Sequence, residues 1–209
     1  EDHQLTNSAI YIDKDFQFQG RYNKHHLVPF GEYVPGEALI KSLGIDKLVP
    51  IPGSFSPLRE DMILRHDQTK LGVLICYEGI FPEISRYFTK EGAQILINIT
   101  NDAWYGVSSA TYQHLAMYVF RAIENRRYVA RSANTGVSAI ITPWGDISAQ
   151  TTIGLMNKES NTLAHSTFLN GKVKPYNALT WYTRFGEWFI WLIMVLLIVA
   201  VIIDRRMKT

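Results

Sequence analysis

A chain of 209 residues that is 47% hydrophobic and 12% aromatic is long and apolar enough to bury one sizeable core with a single appendage, which excludes a disordered tail. Its 21 basic and 19 acidic residues leave a formal charge of +2 spread along the chain, so nothing resembles the basic face of a nucleic-acid binder. The single cysteine, Cys76, excludes an intrachain disulfide and a thiolate metal cluster, leaving inert core filler, nucleophile or redox sensor as its readings.

The amino end begins at Glu1 without the basic start and apolar run of a signal peptide, and is expected to be a fragment boundary. Residues 9–23 predict two short strands, AIYID and FQGRYN, around a Lys14-Asp15 turn, because aromatic and β-branched positions flank turn formers. Residues 27–57 carry five prolines and four glycines and predict a long excursion. Within it Ala38, Leu39, Ile40, Leu43, Ile45, Leu48 and Val49 suggest a short helix that either packs on the domain or forms a membrane-facing arm. LGVLIC at 71–76 is a buried-strand run, and PEISRYFTKEG predicts a helix closing on Gly92. AQILINIT follows as a second apolar strand. Ser108 or Ser109 can then cap a long helix through about Asn125, with Leu115, Val119, Ala122 and Ile123 on its apolar face. Arg121, Glu124 and Arg127 read as an ion-paired helix face. YVARSA, GVSAIITPWG and TTIGLMNK are expected strands, punctuated by Asn134-Thr135-Gly136 and Trp144-Gly145-Asp146. Strand and helix in alternation, followed by several strands, predicts an α/β sandwich.

Residues 188–203 contain no charge, glycine or proline, and at about 1.5 Å per residue they cover roughly 24 Å of a hydrocarbon core of about 30 Å. Phe185 and Gly186 extend the stretch past the lone Glu187. Trp181, Tyr182, Trp188 and Trp191 form an interfacial belt at one end, and Arg205, Arg206 and Lys208 follow the other. The organisation expected is one domain over 1–183, a transmembrane helix over 184–204 and a cytoplasmic tail over 205–209. Positive-inside then puts everything before the helix on the opposite face from the cytoplasm, which in a bacterium is the periplasm.

Cys76 closes an apolar strand just before a helix in GVLICYEGIFPE, where amides opening the helix favour negative charge. A free thiol is only slightly ionised at neutral pH, so a nucleophile at this place needs a nearby base or cation. Glu78 and Glu83 are close in sequence, and Lys24 is the best cation candidate. His25 and His26 adjoin Lys24, but neighbouring histidines point apart and no third ligand is visible, so no metal site is expected.

The segments YNKHHLVPFGEYVP, GVLICYEGIFPE, ITNDAWYG and RAIENRRYVARSANTGVSAI resemble the nitrilase, or carbon-nitrogen hydrolase, superfamily and, within it, the apolipoprotein N-acyltransferase family. The likeness extends to the aromatic lead-in YNALTWYTRFGEW. It implies a nitrilase-like αββα sandwich, incomplete at its amino end, followed by one carboxyl-terminal transmembrane helix in the bacterial inner membrane. It implies Cys76 as nucleophile and Lys24 as the cation that holds the oxyanion. Glu32 matches a second active-site glutamate that orients the lysine; Tyr77 and Glu78 match residues beside the nucleophile; Trp104 matches an aromatic near the acyl pocket. The family's general-base glutamate lies upstream of the lysine motif, matches nothing here, and leaves the chain as given expected to be inactive alone. The resemblance further implies no cofactor, a phospholipid acyl donor, a diacylglyceryl-modified apolipoprotein as acceptor, contact with membrane lipid, and a monomer. Two other readings compete: a membrane-tethered amidase of the same superfamily, and a non-enzymatic membrane-anchored binding module.

Overall fold

The strands expected from apolar runs assemble into one mixed sheet in the computed structural model, which describes residues 5–36, 42, 55, 63–106, 108–151, 156–157, 162–163 and 168–208. Strands β3 (Ile63–His66), β4 (Thr69–Ile75), β5 (Ile95–Thr100), β6 (Tyr128–Ala133), β7 (Ala139–Ile141) and β8 (Ile147–Gln150) lie in that order. β4, β5 and β6 run parallel and their ends are level, with Ile75 opposite Ile99 and Thr100 opposite Ala133. Parallel neighbours need crossovers, and these are helices α1 (Pro82–Lys90) and α2 (Ala110–Asn125), which touch each other and the sheet. Val73, Leu74, Leu96, Val129 and Ile141 from the strands meet Ile84, Phe88, Leu115 and Ala122 from the helices in the core. β3 and β8 were not among the strands expected from the sequence.

The amino-terminal hairpin forms as expected, β1 (Ser8–Ile12) antiparallel to β2 (Phe18–Asn23), and Tyr22 enters the core edge-on to Phe88. α1 ends where Gly92, at φ +95°, takes the left-handed conformation and Ala93 N–H returns to the Phe88 carbonyl. At the start of α2 it is Ser108 whose hydroxyl accepts from Ala110 N–H. The inner face of α2 differs from the expected one: Leu115 and Ala122 are buried, but Ile123 is 40% exposed, and Thr111, His114, Tyr118 and Arg121 point inward instead. Arg121 and Glu124 pair at 2.7 Å. Arg127 is a correction to the expected ion-paired face: it lies beyond the helix end, is buried, and donates to the carbonyls of Ala93, Asn125, Arg126 and Ala178.

Two short strands, β9 (Met156–Asn157) and β10 (Thr162–Leu163), pair with each other. The helix expected over 38–49 falls outside the described residues apart from Ser42, as does most of TTIGLMNK. The chain then returns along the domain. Tyr176 N–H donates to Gln94 O, Arg86 donates to the carbonyls of Tyr182, Thr183 and Arg184, and Thr180 Oγ1 donates to Glu124 O, seating α3 (Trp181–Phe185) against α1 and α2. Gly186, at φ +63°, ends α3, and α4 (Trp188–Met207) begins two residues later. α4 is long and apolar enough to cross a membrane, with a mean hydropathy of 2.4, and none of its residues is buried in protein. Such a helix has no core of its own to enter, which is the pattern expected where lipid is the solvent.

Candidate active site

The carboxyl ends of β4, β5 and β6 each run directly into a segment that carries polar side chains, the place where open α/β sheets gather their chemistry. At the end of β4 the chain turns into a short 3-10 helix, Cys76–Ile80, and Cys76 itself adopts φ +51°. That is the left-handed region, disfavoured for a residue with a β-carbon, and it holds the thiol out of the strand direction at a half-buried position. The Cys76 side chain is close enough that its thiolate form raises the phenol of Tyr105, whose burial already pushes it up.

Lys24, just past the end of β2, is 1% exposed, and its ammonium donates to Glu32 Oε2 at 2.7 Å. Glu32 also accepts from Val28 N–H at 2.8 Å and from Asn7 Nδ2 at 2.7 Å. Burial works against its charged form, but Lys24, Val28 and Asn7 outweigh that effect and hold the carboxyl below its ordinary value.

Glu78 brings the two halves together. It is fully buried; Oε1 accepts from Tyr22 OH at 2.7 Å, His25 N–H at 2.7 Å and His26 N–H at 3.0 Å, while Oε2 accepts from Ile75 N–H at 2.8 Å. The residues on either side of Lys24 and the residue before Cys76 therefore hang on one carboxylate. Tyr77 is half-buried, packed edge-on to Phe81 at 5.2 Å, and Phe81 in turn lies against the His26 ring at 3.8 Å. Trp104 is 81% exposed, in the segment that follows β5. Glu83 is exposed on the first turn of α1 and takes no part in these contacts.

A second buried polar group reaches the Cys76 main-chain carbonyl, and the sequence patterns did not point to it. Arg131, in the middle of β6, donates to Asp102 Oδ2 at 2.6 Å, to Asn98 Oδ1 at 2.6 Å and to Val137 O at 3.1 Å. Asp102 Oδ1 accepts from Thr100 Oγ1 and lies 3.0 Å from His114 Nδ1; His114 Nε2 is 3.3 Å from the Cys76 carbonyl, and Tyr118 OH donates to that carbonyl at 2.7 Å. Desolvation opposes charge on Asp102, yet His114 and Arg131 more than offset it and keep its carboxyl below the ordinary value. The signal that would have found this group is the break in apolar pattern: His114 and Tyr118 stand four apart on the inner face of α2, and Arg131 interrupts a buried strand.

Residues 1–155 match the carbon-nitrogen hydrolase family. The chain belongs to the carbon-nitrogen hydrolase family. Among relatives of this carbon-nitrogen hydrolase chain, the apolipoprotein N-acyltransferase of Geobacter metallireducens is 43% identical over 185 residues, covering 88% of this chain and 33% of that protein. The apolipoprotein N-acyltransferase of Agrobacterium fabrum is 38% identical over 199 residues, covering 93% of this chain and 35% of that protein. The chain thus spans about a third of the length of the curated relatives it matches. In structure it is similar to the carbon-nitrogen hydrolase from Helicobacter pylori G27, with a TM-score of 0.54 at 19% identity over 73% of this chain and 54% of that one. It is also similar to the C. elegans NitFhit protein, with a TM-score of 0.53 at 28% identity over 72% of this chain and 36% of that one. The expected nitrilase-like fold is therefore the observed one, and the family is one of acyl-transferring and hydrolysing enzymes.

Two measurements test how this carbon-nitrogen hydrolase site is held. A β-carbon at Gly79 would sit 1.9 Å from Tyr118 Cζ, so the glycine is what allows the tyrosine to reach Cys76. Gly79→Ala is expected to destabilise the domain by about 1–3 kcal/mol through overpacking, read as a lower midpoint in urea denaturation. The acid limb of stability is the other test. Glu32 and Asp102 are both depressed on folding, so their contribution is complete above the unfolded values, 4.5 and 3.8, and is lost as pH falls through the lower folded values. Urea midpoints should be flat in this contribution near neutrality and fall below about pH 5, with a shallower fall in Glu32→Gln and Asp102→Asn.

Proposed function

We propose that this chain carries the nucleophile and the oxyanion-holding lysine of an apolipoprotein N-acyltransferase. The observation that carries the reading is Glu78, which ties the backbone just after Lys24 to the backbone preceding Cys76, on a chain that also bears a lipid-length apolar helix. The Cys76 thiolate attacks the ester carbonyl of a phospholipid acyl chain. Lys24, oriented by Glu32, stabilises the oxyanion, the lysophospholipid leaves, and a thioester remains on the sulfur. The free amine of a diacylglyceryl-cysteine at the start of an apolipoprotein then attacks the thioester, becomes N-acylated and releases the thiolate. A glutamate upstream of Lys24 moves the protons in both halves. Trp104 and Tyr77 border the acyl chain.

The supports are of different kinds. The relatives named above are apolipoprotein N-acyltransferases, the left-handed Cys76 is a strained position of the type found at functional sites, and α4 is long and apolar enough to serve as a membrane anchor. Arg205, Arg206 and Lys208 at the far end of α4 favour a cytoplasmic terminus, with the catalytic domain in the periplasm of the bacterial inner membrane, acting as a monomer.

The test is to incubate the full-length protein with phospholipid in the absence of acceptor and to weigh the peptide containing Cys76. A mass increase of one fatty acyl chain, removed by neutral hydroxylamine, is the expected result. The family match keeps amide hydrolysis as the second reading. Ammonia release from simple amides, with no acyl chain on Cys76, would decide for that reading instead.

A further inference from the structure

The left-handed backbone of Cys76 needs something to hold it, because an L-residue at φ +51° relaxes readily to extended backbone and would carry its side chain away with it. What holds it acts on its carbonyl and not on its sulfur. That oxygen receives Tyr118 OH at 2.7 Å and faces His114 Nε2 at 3.3 Å, both from the inner face of α2. Neither side chain is free to move. His114 Nδ1 is set against Asp102, and the Tyr118 ring lies beneath the Arg131 guanidinium at 5.0 Å, while Arg131 binds Asp102 and Asn98. Asn98 Nδ2 completes the frame by donating to the Leu74 carbonyl, two residues before Cys76. Asp102, His114, Tyr118, Asn98 and Arg131 are all nearly or fully buried.

Room has been left for this frame. A β-carbon at Gly79 would collide with the Tyr118 ring, and one at Gly136 would lie 2.3 Å from Asp102 Oδ2. Two tight glycines therefore admit two polar groups that a purely apolar core would have no reason to keep, since a buried ion pair is often no more stabilising than well-packed apolar side chains.

We propose that the Asn98–Arg131–Asp102–His114 frame, with Tyr118, is a positioning device that fixes the left-handed main chain of Cys76 and, through it, the direction of its sulfur. Tyr118 and His114 are positioning residues: they act through the Cys76 carbonyl, not on substrate. The inference rests on the reading of Cys76 as nucleophile.

The test uses the full-length protein and two variants, Tyr118→Phe, which deletes one hydroxyl and keeps the ring over which Arg131 lies, and His114→Gln. Three quantities are read: the alkylation rate of Cys76 by iodoacetamide from pH 6 to pH 9, followed on the peptide that contains it; kcat and KM for acyl transfer; and the thermal midpoint. The expected result for Tyr118→Phe is alkylation slowed about tenfold across the pH range, kcat lowered by a similar factor with KM unchanged, and a midpoint within about 3 °C of the parent. Alkylation and kcat within about twofold of the parent in folded Tyr118→Phe overturn the proposal, and they do so whether or not His114→Gln folds. A Cys76→Ser protein that keeps the parent's acyl-transfer rate overturns the nucleophile reading itself, and the proposal with it. An inactive Cys76→Ser beside an indifferent Tyr118→Phe removes the proposal alone.

Discussion

Cys76→Ser is expected to lower the proposed acyl transfer by about a thousandfold or more while leaving the fold intact. The two halves of that expectation have separate causes. Serine keeps the size and the backbone preference of cysteine, and the side chain is only half-buried, so little packing is lost. The carbonyl that Tyr118 and His114 hold is main chain and survives the change. The chemistry does not survive, because an alcohol at this place is far less ionised and far less nucleophilic than a thiol, and His114, which stands at the Cys76 carbonyl, turns its nitrogens to Asp102 and to that carbonyl. Transfer of a labelled acyl chain to an acceptor, with circular dichroism and thermal unfolding on the same preparations, measures both halves. A serine variant that is inactive and also unfolded would show that Cys76 is a packing residue.

Glu78→Gln has the second largest expected effect, and it falls on structure and activity together. All four partners of Glu78 are donors: Tyr22 OH and the N–H groups of Ile75, His25 and His26. Glutamine is the same size but has one accepting atom and one donating amide. Whichever way it turns, its NH2 faces a buried donor and leaves that donor unsatisfied. With Oε1 kept towards the lysine segment, the Ile75 N–H is orphaned, at a cost of about 1–3 kcal/mol, and the charge-assisted character of the other bonds is lost as well. Alanine orphans all four donors and is expected to cost about 4 kcal/mol or more, a large part of the stability of a domain this size. The functional loss should exceed what unfolding explains, because the same bonds set the register of Lys24 against Cys76. Urea unfolding followed by tryptophan fluorescence, together with acyl transfer measured at a temperature where the variant is folded, separates the two effects. A glutamine variant with the parent's midpoint and rate would mean that the four bonds are spectators.

Much of this was open to reading along the chain. The apolar runs of β4 and β5, the hairpin before Lys24, both crossover helices and the uncharged stretch within α4 follow from periodicity and composition, which report how far each position wants to leave water. The motifs around Lys24, Glu32 and Cys76 were enough for the family resemblance. The inner face of α2 was read less well, since an apolar template selects Ile123, which is exposed, and passes over His114, Tyr118 and Arg121, which are in fact turned inward beside Leu115, Val119 and Ala122. Arg127 was misplaced for the same reason: a guanidinium is assumed to seek solvent unless its partners are known, and here they are main-chain carbonyls, among them Ala93 and Ala178.

The sequence by itself determined the hairpin, the central strands, the two crossover helices and the lipid-length span, though not β3 or β8, and which residue types are able to do thiol chemistry. Only the tertiary structure decided that Glu78 is a tie between two segments, that the Asp102–Arg131 pair stands behind the side chains that hold the Cys76 carbonyl, and that Cys76 lies in left-handed backbone. The reason is that burial tendency is a property of each side chain and its near neighbours. A hydrogen-bond partner 29 or 56 positions away is chosen by the packing of the whole sheet.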